Sequence, residues 1–143
     1  MIVNDFRKIH KSVYSLKPGV IEVIDIPKLS FVVAGGVGDR NVYRMHDGDT
    51  LWSISRVVNR LKEMTKLGME YKFKLMPLEM IWTGEVGEWT AMMQVPDVIT
   101  EEMFGEALHE LEVRKRSVRV PVHLKQVHQG RCVQALHVGS YMD

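Results

Sequence analysis

Two stretches of the chain share one order of features, and this echo constrains the fold more than any other part of the sequence. Each has a strand-like segment of alternating apolar and polar residues, then a break, then a more apolar segment that ends in glycine. The stretches are "PGVIEVIDIPKLSFVVAGGVGD" from Pro18 and "VPVHLKQVHQGRCVQALHVGSY" from Val120. The echo indicates a coarse internal repeat.

The segment between Val42 and Pro96 predicts a helix and then two antiparallel strands. Apolar residues recur at helical spacing from Leu51 to Met64, with Asp49 or Thr50 as the expected N-cap and Gly68 as the expected C-terminal cap. Strand alternation then predicts a hairpin, whose sequences are "YKFKLMPLEMIWTG" and "WTAMMQVPD".

A second helix is predicted after this hairpin. The sequence "TEEMFGEALHELEVRKR" has Thr100 as its N-cap, two acidic residues in its first turn and the basic residues Arg114 to Arg116 in its last. Those charges suit the helix dipole. The predicted order is therefore β, α, β, β, α, β, and the second stretch of the echo is followed by no further element.

Composition excludes several classes of protein. The chain has 143 residues, of which 45% are hydrophobic, and a formal net charge of +1, so we expect one core-bearing domain and no nucleic-acid or anionic-membrane partner. Its single cysteine, Cys132, excludes an intrachain disulfide and favours a reducing compartment. The sequence has no apolar run of about 20 residues and no N-terminal signal peptide, so a cytoplasmic location is expected.

Three phrases, in this order, identify a family resemblance: "MPLEMIW", "QVPDVITEEMF" and "GRCVQALHVGSY". They resemble the GyrI-like small-molecule-binding proteins, which are related to the effector-binding domains of multidrug-sensing transcription activators. The likeness runs from about Tyr14 to Tyr141. It implies an α+β fold of pseudo-repeated β-α-β-β units, with two helices on one face of an antiparallel sheet and a ligand cleft between the repeats.

The resemblance also implies that a usual member continues past "GSY" with a helix and two strands, which carry a glutamate in a phrase similar to "HxEIYL". We therefore expect one domain over residues 1–143, with an N-terminal arm at 1–17, a first repeat at 18–97 and a truncated second repeat at 98–143. The chain is then a fragment, a natural short form, or one partner of an oligomer that completes the sheet. An unpaired sheet edge favours a homodimer.

Glu79 is the main candidate for chemistry, because a carboxylate in an apolar strand is unfavourable to bury unless it is paired. Period-2 alternation puts Glu79 on the same side of its strand as Pro77 and Ile81, and opposite Trp82. On the cleft, it would pair with a cationic ligand or act as general base on a water molecule. The equally weighted alternative is an exposed or edge-strand Glu79 that pairs with a neighbouring lysine, Lys72 or Lys74.

The resemblance adds Trp52, Trp82 and Tyr141 as aromatic walls of a cleft, since aromatic side chains stack on flat or cationic ligands. Taken singly, each is more often a core residue. His137 lies on a predicted apolar strand and is more simply a hydrogen-bonded core residue, with proton transfer as a secondary role. No metal site and no cofactor are expected.

Three functions remain open. The first is binding of a hydrophobic, aromatic or cationic drug-like molecule between the repeats, with Glu79 supplying charge. The second is hydrolysis, because some proteins similar to this chain open the cyclopropane ring of DNA-alkylating natural products with a carboxylate and aromatic walls. The third is interaction with gyrase, from which the family takes its name, although no residue in this sequence indicates such a surface.

Overall fold

The computed structural model describes residues 3–37, 48–83 and 88–136. Four helices are present in these ranges: α1 (Phe6–Ile9), α2 (Lys11–Tyr14), α3 (Gly48–Met69) and α4 (Glu101–Val113). The strands are β1 (Val3–Asn4), β2 (Ile21–Ile26), β3 (Leu29–Val37), β4 (Lys72–Phe73), β5 (Leu78–Thr83), β6 (Glu88–Val95), β7 (His123–Val127) and β8 (Gly130–Ala135). Helices and antiparallel sheets are both present, which confirms the α+β class.

The two echoing stretches lie side by side and antiparallel. β3 pairs with β7 from Leu29 opposite Val127, and β2 pairs with β8 from Ile26 opposite Gly130, so one register runs through both pairs. Each stretch is interrupted between its two strands, at Pro27-Lys28 and at His128-Gln129. Pro27 has no N–H to donate to a ladder, and Gly130 has φ 69°, a left-handed conformation that favours glycine. The predicted breaks are therefore confirmed.

A four-stranded antiparallel sheet, in the order β5-β6-β3-β7, holds most of the core. Its helix-side face is covered by α3 and α4, whose apolar stripes pack against alternate residues of the strands. Each aliphatic side chain fully buried in this way contributes about 1.5–3 kcal/mol. The cluster includes Val32 and Ala34 of β3, Trp89, Ala91 and Met93 of β6, Ile54, Val57 and Leu61 of α3, and Phe104, Ala107 and Leu111 of α4. The predicted packing of two helices on one face is observed.

The opposite face, here called the second face, has a much smaller apolar cluster. It contains Leu29, Phe31 and Val33 of β3 together with Met92 of β6. The register places Glu79 of β5 directly opposite Met92, so this carboxylate belongs to the second face. Polar side chains therefore share this face with a compact group of apolar ones.

The helix ends agree only in part with the sequence predictions. Thr100 caps α4 by accepting a hydrogen bond from Met103 N–H at 3.1 Å, as predicted. The N-cap expected at Asp49 or Thr50 is wrong, because α3 already begins at Gly48. The cap expected at Gly68 is also wrong, since α3 continues to Met69 and the left-handed residue is Glu70, with φ 52°.

Two further predictions are corrected. The basic residues Arg114 to Arg116 lie just beyond α4, which ends at Val113, and not in its last turn. The alternating segment from Tyr71 to Met76 forms only the two-residue strand β4, because its partner β1 is equally short and pairs with it in parallel. The predicted hairpin is present as β5 and β6. No helix in the described ranges has both the length and the apolar character needed to cross a bilayer.

Candidate active site

Glu79 lies on β5, at the edge of the four-stranded sheet. The register confirms its predicted orientation: Leu78 and Met80 pair with residues of the helix-side face, whereas Glu79 pairs with Met92. The side chain is half-buried, and within the described structure its Oε2 atom is buried without a hydrogen-bond partner. A buried carboxylate oxygen without a partner is unfavourable, and the penalty falls when the group takes up a proton.

Tyr14 joins Glu79 from the N-terminal arm. It is the last residue of α2, and its hydroxyl donates a hydrogen bond of 2.7 Å to Oε1 of Gln94. Gln94 lies on β6 on the same face as Met92, and it is only 2% exposed. A residue far away in the sequence is thus fixed beside the start of β5 by a buried hydrogen bond.

The three side chains form one polar group. The Tyr14 hydroxyl also lies beside the Glu79 carboxyl and lowers its pKa. A phenol has one proton, so it cannot donate fully to both Gln94 and Glu79. When Glu79 is protonated, it can instead donate to the Tyr14 oxygen while Tyr14 continues to donate to Gln94. The group therefore has one satisfied arrangement with a neutral carboxyl and a strained one with a carboxylate.

Burial dominates the electrostatics of this group. It raises the pKa of the Glu79 carboxyl above the ordinary value of 4.5, and the Tyr14 hydroxyl offsets part of that rise. Burial, and then the charge of Glu79, raise the pKa of Tyr14 far above its usual range. Tyr14 therefore keeps its proton at every physiological pH, and Glu79 is a stronger base when ionised than an exposed glutamate.

The predicted lysine partners do not engage Glu79. Among the described residues, neither Lys72 nor Lys74 forms an ion pair with it, and its polar neighbour is Tyr14. Near it on the same face, Ile81 is 40% exposed and its cross-strand partner Thr90 is half-buried. The carboxylate therefore lies beside apolar surface that a ligand can reach.

The two tryptophans are not brought together with Glu79. Trp82 pairs with Trp89, so it belongs to the helix-side face at the edge of the sheet. Trp52 is carried by α3, in the helix layer beyond that face. There the guanidinium groups of Arg56 and Arg119 lie 4.3 and 4.5 Å from the centroid of its ring. These stacked arginines occupy ring surface that an aromatic ligand would otherwise use.

The histidines of the described ranges do not join Glu79 in one group. His137 and Tyr141 lie outside the described residues. His123 is on the second face, in the same row as Glu79, but three strand spacings away, which is roughly 14 Å. Within the part of the chain that the structure describes, no three His, Cys, Asp or Glu side chains cluster closely enough to hold a metal ion.

Sequence reasoning missed Tyr14 and Gln94 as partners of Glu79. The signal for Gln94 was present, because it is the single amide in the apolar strand "AMMQV". A polar side chain in such a strand needs a buried partner. No signal could identify Tyr14, since it is separated from Gln94 by 80 positions and lies in a polar arm.

Comparison with known proteins shows where this fold recurs. A hydrolase from Listeria innocua has a TM-score of 0.84 and 28% sequence identity, over 97% of this chain and 73% of that chain. An uncharacterized conserved protein from the same organism has a TM-score of 0.84 and 27% identity, over 96% of this chain and 73% of that chain. No protein-family model matches the sequence, and no curated protein matches it significantly.

Proposed function

We propose that this protein is a hydrolase, and that Glu79 activates the attacking water. The observation that carries the proposal is the buried, unpartnered Oε2 atom of Glu79 beside the hydroxyl of Tyr14. The likeness to a hydrolase over 97% of the chain supports the same reaction class. A buried carboxylate with a raised pKa is a usual general base for water.

The roles follow from the charges of the group. Ionised Glu79 accepts a proton from a water molecule, whose oxygen attacks an electrophilic carbon of the substrate. Tyr14 retains its proton, and its hydroxyl dipole beside the carboxylate lowers the pKa of Glu79. Gln94 fixes Tyr14 through the 2.7 Å hydrogen bond. The protonated Glu79 then returns the proton to the part of the substrate that received the electron pair of the broken bond.

The proposed substrate is an apolar or aromatic small molecule with a strained ring, of the cyclopropane-bearing alkylator type. This class comes from the family resemblance, and the apolar surroundings of Glu79 support it. In the reaction, a carbon–oxygen bond forms as a ring carbon–carbon bond breaks, and the electron pair moves into the substrate's conjugated system. Water is consumed, and no cofactor or external oxidant is required.

A binding module without turnover is the second candidate. The exposed Ile81 beside Glu79 favours it, because an apolar contact and one buried carboxylate suffice to hold a hydrophobic cation. Such a protein would sequester the drug-like molecule, and Glu79 would then supply a counter-charge instead of a base. The two candidates share one site and differ in whether product forms.

The test follows a cyclopropane-bearing alkylator by liquid chromatography and mass spectrometry, with and without the protein. We expect a product heavier by one water, formed faster than in buffer. Glu79→Gln should lower kcat/KM by about 10²–10⁴-fold, the usual contribution of a general base. Glu88→Gln changes an exposed glutamate on the neighbouring strand β6 and should leave the rate unchanged.

The controls separate the two candidates. Saturable binding of the alkylator without any product would reject the hydrolase and retain the binding module. Equal loss of rate in Glu79→Gln and Glu88→Gln would reject Glu79 as the base. If the alkylator is neither bound nor turned over, this substrate class is rejected.

A further inference from the structure

A second polar site lies in the helix layer, on the far side of the sheet from Glu79. A groove of about 320 Å³ runs between α3 and the end of α4. Four arginines line it: Arg56 and Arg60 from α3, and Arg114 and Arg116 from the segment after α4. We call it the arginine groove. Its only acidic lining residue within the described structure is Glu63.

The backbone after α4 is shaped to bring these arginines together. Lys115 adopts φ 56°, and the next residue, Arg116, donates its backbone N–H to the Leu111 carbonyl at 2.7 Å. This left-handed turn reverses the chain at the end of the helix. The returning segment is then held on α3, because Arg119 donates its backbone N–H to the hydroxyl of the buried Ser53 at 3.1 Å. Cations from two elements therefore converge on one groove.

The carboxylates nearby neutralise only part of this charge. Arg60 forms ion pairs with Glu63, at 2.9 Å, and with Glu110. Arg56 instead stacks its guanidinium on the ring of Trp52. Stacking uses the flat face of a guanidinium and leaves its in-plane N–H groups for hydrogen bonds. Arg114 and Arg116 are exposed. The groove therefore keeps an excess of positive charge and of planar donors.

We propose that the arginine groove binds a small molecule that carries a phosphate or pyrophosphate group. Guanidinium groups donate two parallel hydrogen bonds to phosphate oxygens, and several arginines around one cavity favour a multiply charged anion over a single carboxylate. The volume suits a small ligand. Asn59 and Ser55 also line the groove and add neutral polar groups for the rest of the molecule.

The charge distribution favours a small anion over a nucleic acid. A nucleic acid is held by a long basic track that contacts many phosphates. Here Glu63 and Glu110 flank the groove, and the whole chain has a formal net charge of only +1. These two carboxylates interrupt the positive charge beside the arginines, which a continuous basic track for a nucleic acid would not have.

The test is a titration of the full chain with inorganic pyrophosphate, measured by isothermal titration calorimetry. The buffer contains about 0.15 M salt, which screens weak surface attraction. We expect saturable binding at one site. Arg116→Gln and Arg56→Gln should each weaken it at least about tenfold, as expected for loss of a charge-assisted hydrogen bond. Arg131→Gln is the matched control, because Arg131 lies on β8 with a side chain that is 79% exposed.

Circular dichroism melts of each variant show whether it folds, and Arg116 is exposed, so its substitution leaves the core intact. No saturable binding of pyrophosphate, or equal weakening by Arg131→Gln and Arg116→Gln, would overturn the proposal. A single-stranded oligonucleotide that binds more tightly than pyrophosphate and displaces it would also overturn it, in favour of a nucleic-acid surface.

Discussion

The two faces of the four-stranded sheet are supplied by the same strands, yet they hold different kinds of side chain. The helix-side face is apolar and is covered by two helices, whereas the second face combines a four-residue apolar cluster with Glu79 and Gln94. Because side chains alternate along a strand, one face can provide most of the stability while its neighbours remain available for chemistry. The strained carboxylate is tolerated because the core that opposes unfolding lies on the other side.

Each face contains one buried polar atom without a partner in the described structure: Trp89 Nε1 on the helix side and Glu79 Oε2 on the second face. An unpaired indole N–H is neutral and stays so at every pH. An unpaired carboxylate can relieve its position by taking up a proton, which makes it responsive to pH. The same kind of unpaired buried atom is therefore insensitive to pH on one face and responsive to pH on the other.

The largest expected effect on stability lies on the helix-side face. Leu61→Ala removes a side chain that is 0% exposed in the core, and should lower the free energy of unfolding by about 2–5 kcal/mol. Leu67→Ala is the control on the same helix, because Leu67 is 73% exposed. Leu67→Ala should change the free energy of unfolding by no more than about 0.5 kcal/mol. Urea denaturation measures both.

The Leu61→Ala variant also tests whether the helix-side face contributes to stability alone. If the two faces differ as described, the folded fraction of the Leu61→Ala variant should turn over substrate at the wild-type rate per molecule. A loss of kcat as large as in Glu79→Gln, at a temperature where the variant is folded, would show that the helix-side face takes part in the reaction.

A smaller effect is expected for Tyr14→Phe on the second face. The change removes the hydroxyl and leaves the buried Oε1 of Gln94 without its donor, which should lower the free energy of unfolding by about 1–2 kcal/mol. It also removes the hydrogen bond that lowers the pKa of Glu79, so that pKa should rise further. The inflection in the pH–rate profile should move to higher pH.

Tyr71→Phe is the control for this variant. Tyr71 is also half-buried, and within the described structure no hydrogen bond of its hydroxyl to another side chain is present. It should leave the pH–rate profile in place. If the pH–rate profile shifts equally in both variants, or in neither, then Tyr14 has no specific effect on the pKa of Glu79.

The sequence predicted the elements that depend on local periodicity, and failed where distant segments decide. The stripe from Leu51 to Met64 and the capping side chain of Thr100 are local, and both are confirmed in α3 and α4. The strand predicted from Tyr71 to Met76 is nearly absent, because strand formation needs a partner and β1 offers only two residues. The spacing of apolar residues predicts a helix more reliably than a strand, because the length of a strand depends on the strand that pairs with it.

The candidate site was predictable only in its central residue. Glu79 is conspicuous as a carboxylate in "PLEMIW", and its side of the strand follows from alternation. Its grouping with Trp52 and Trp82 came from the resemblance, and the structure places both tryptophans away from it. The homodimer stays a prediction, which the solution mass from light scattering tests.

The smallest effect is the most informative about Glu79 itself. Because burial raises the pKa of this carboxyl above 4.5, the folded state holds the proton more tightly than the unfolded chain. The free energy of unfolding should therefore fall as the pH rises from 4.5 through the raised pKa, and the loss is complete above it. Glu79→Gln removes that dependence and should be more stable than the wild type at neutral pH by about 1 kcal/mol, the order of the desolvation penalty of a partly compensated polar group.

Urea denaturation between pH 4 and pH 8, at about 0.15 M salt to screen surface charges, measures this difference. Glu88→Gln, at the exposed first residue of β6, should follow the wild type at every pH. A wild type that gains stability over Glu79→Gln as the pH rises would mean that the folded protein stabilises the carboxylate. The second face would then resemble an ordinary ion-paired surface, and the contrast between a stabilising face and a strained, reactive one would fail.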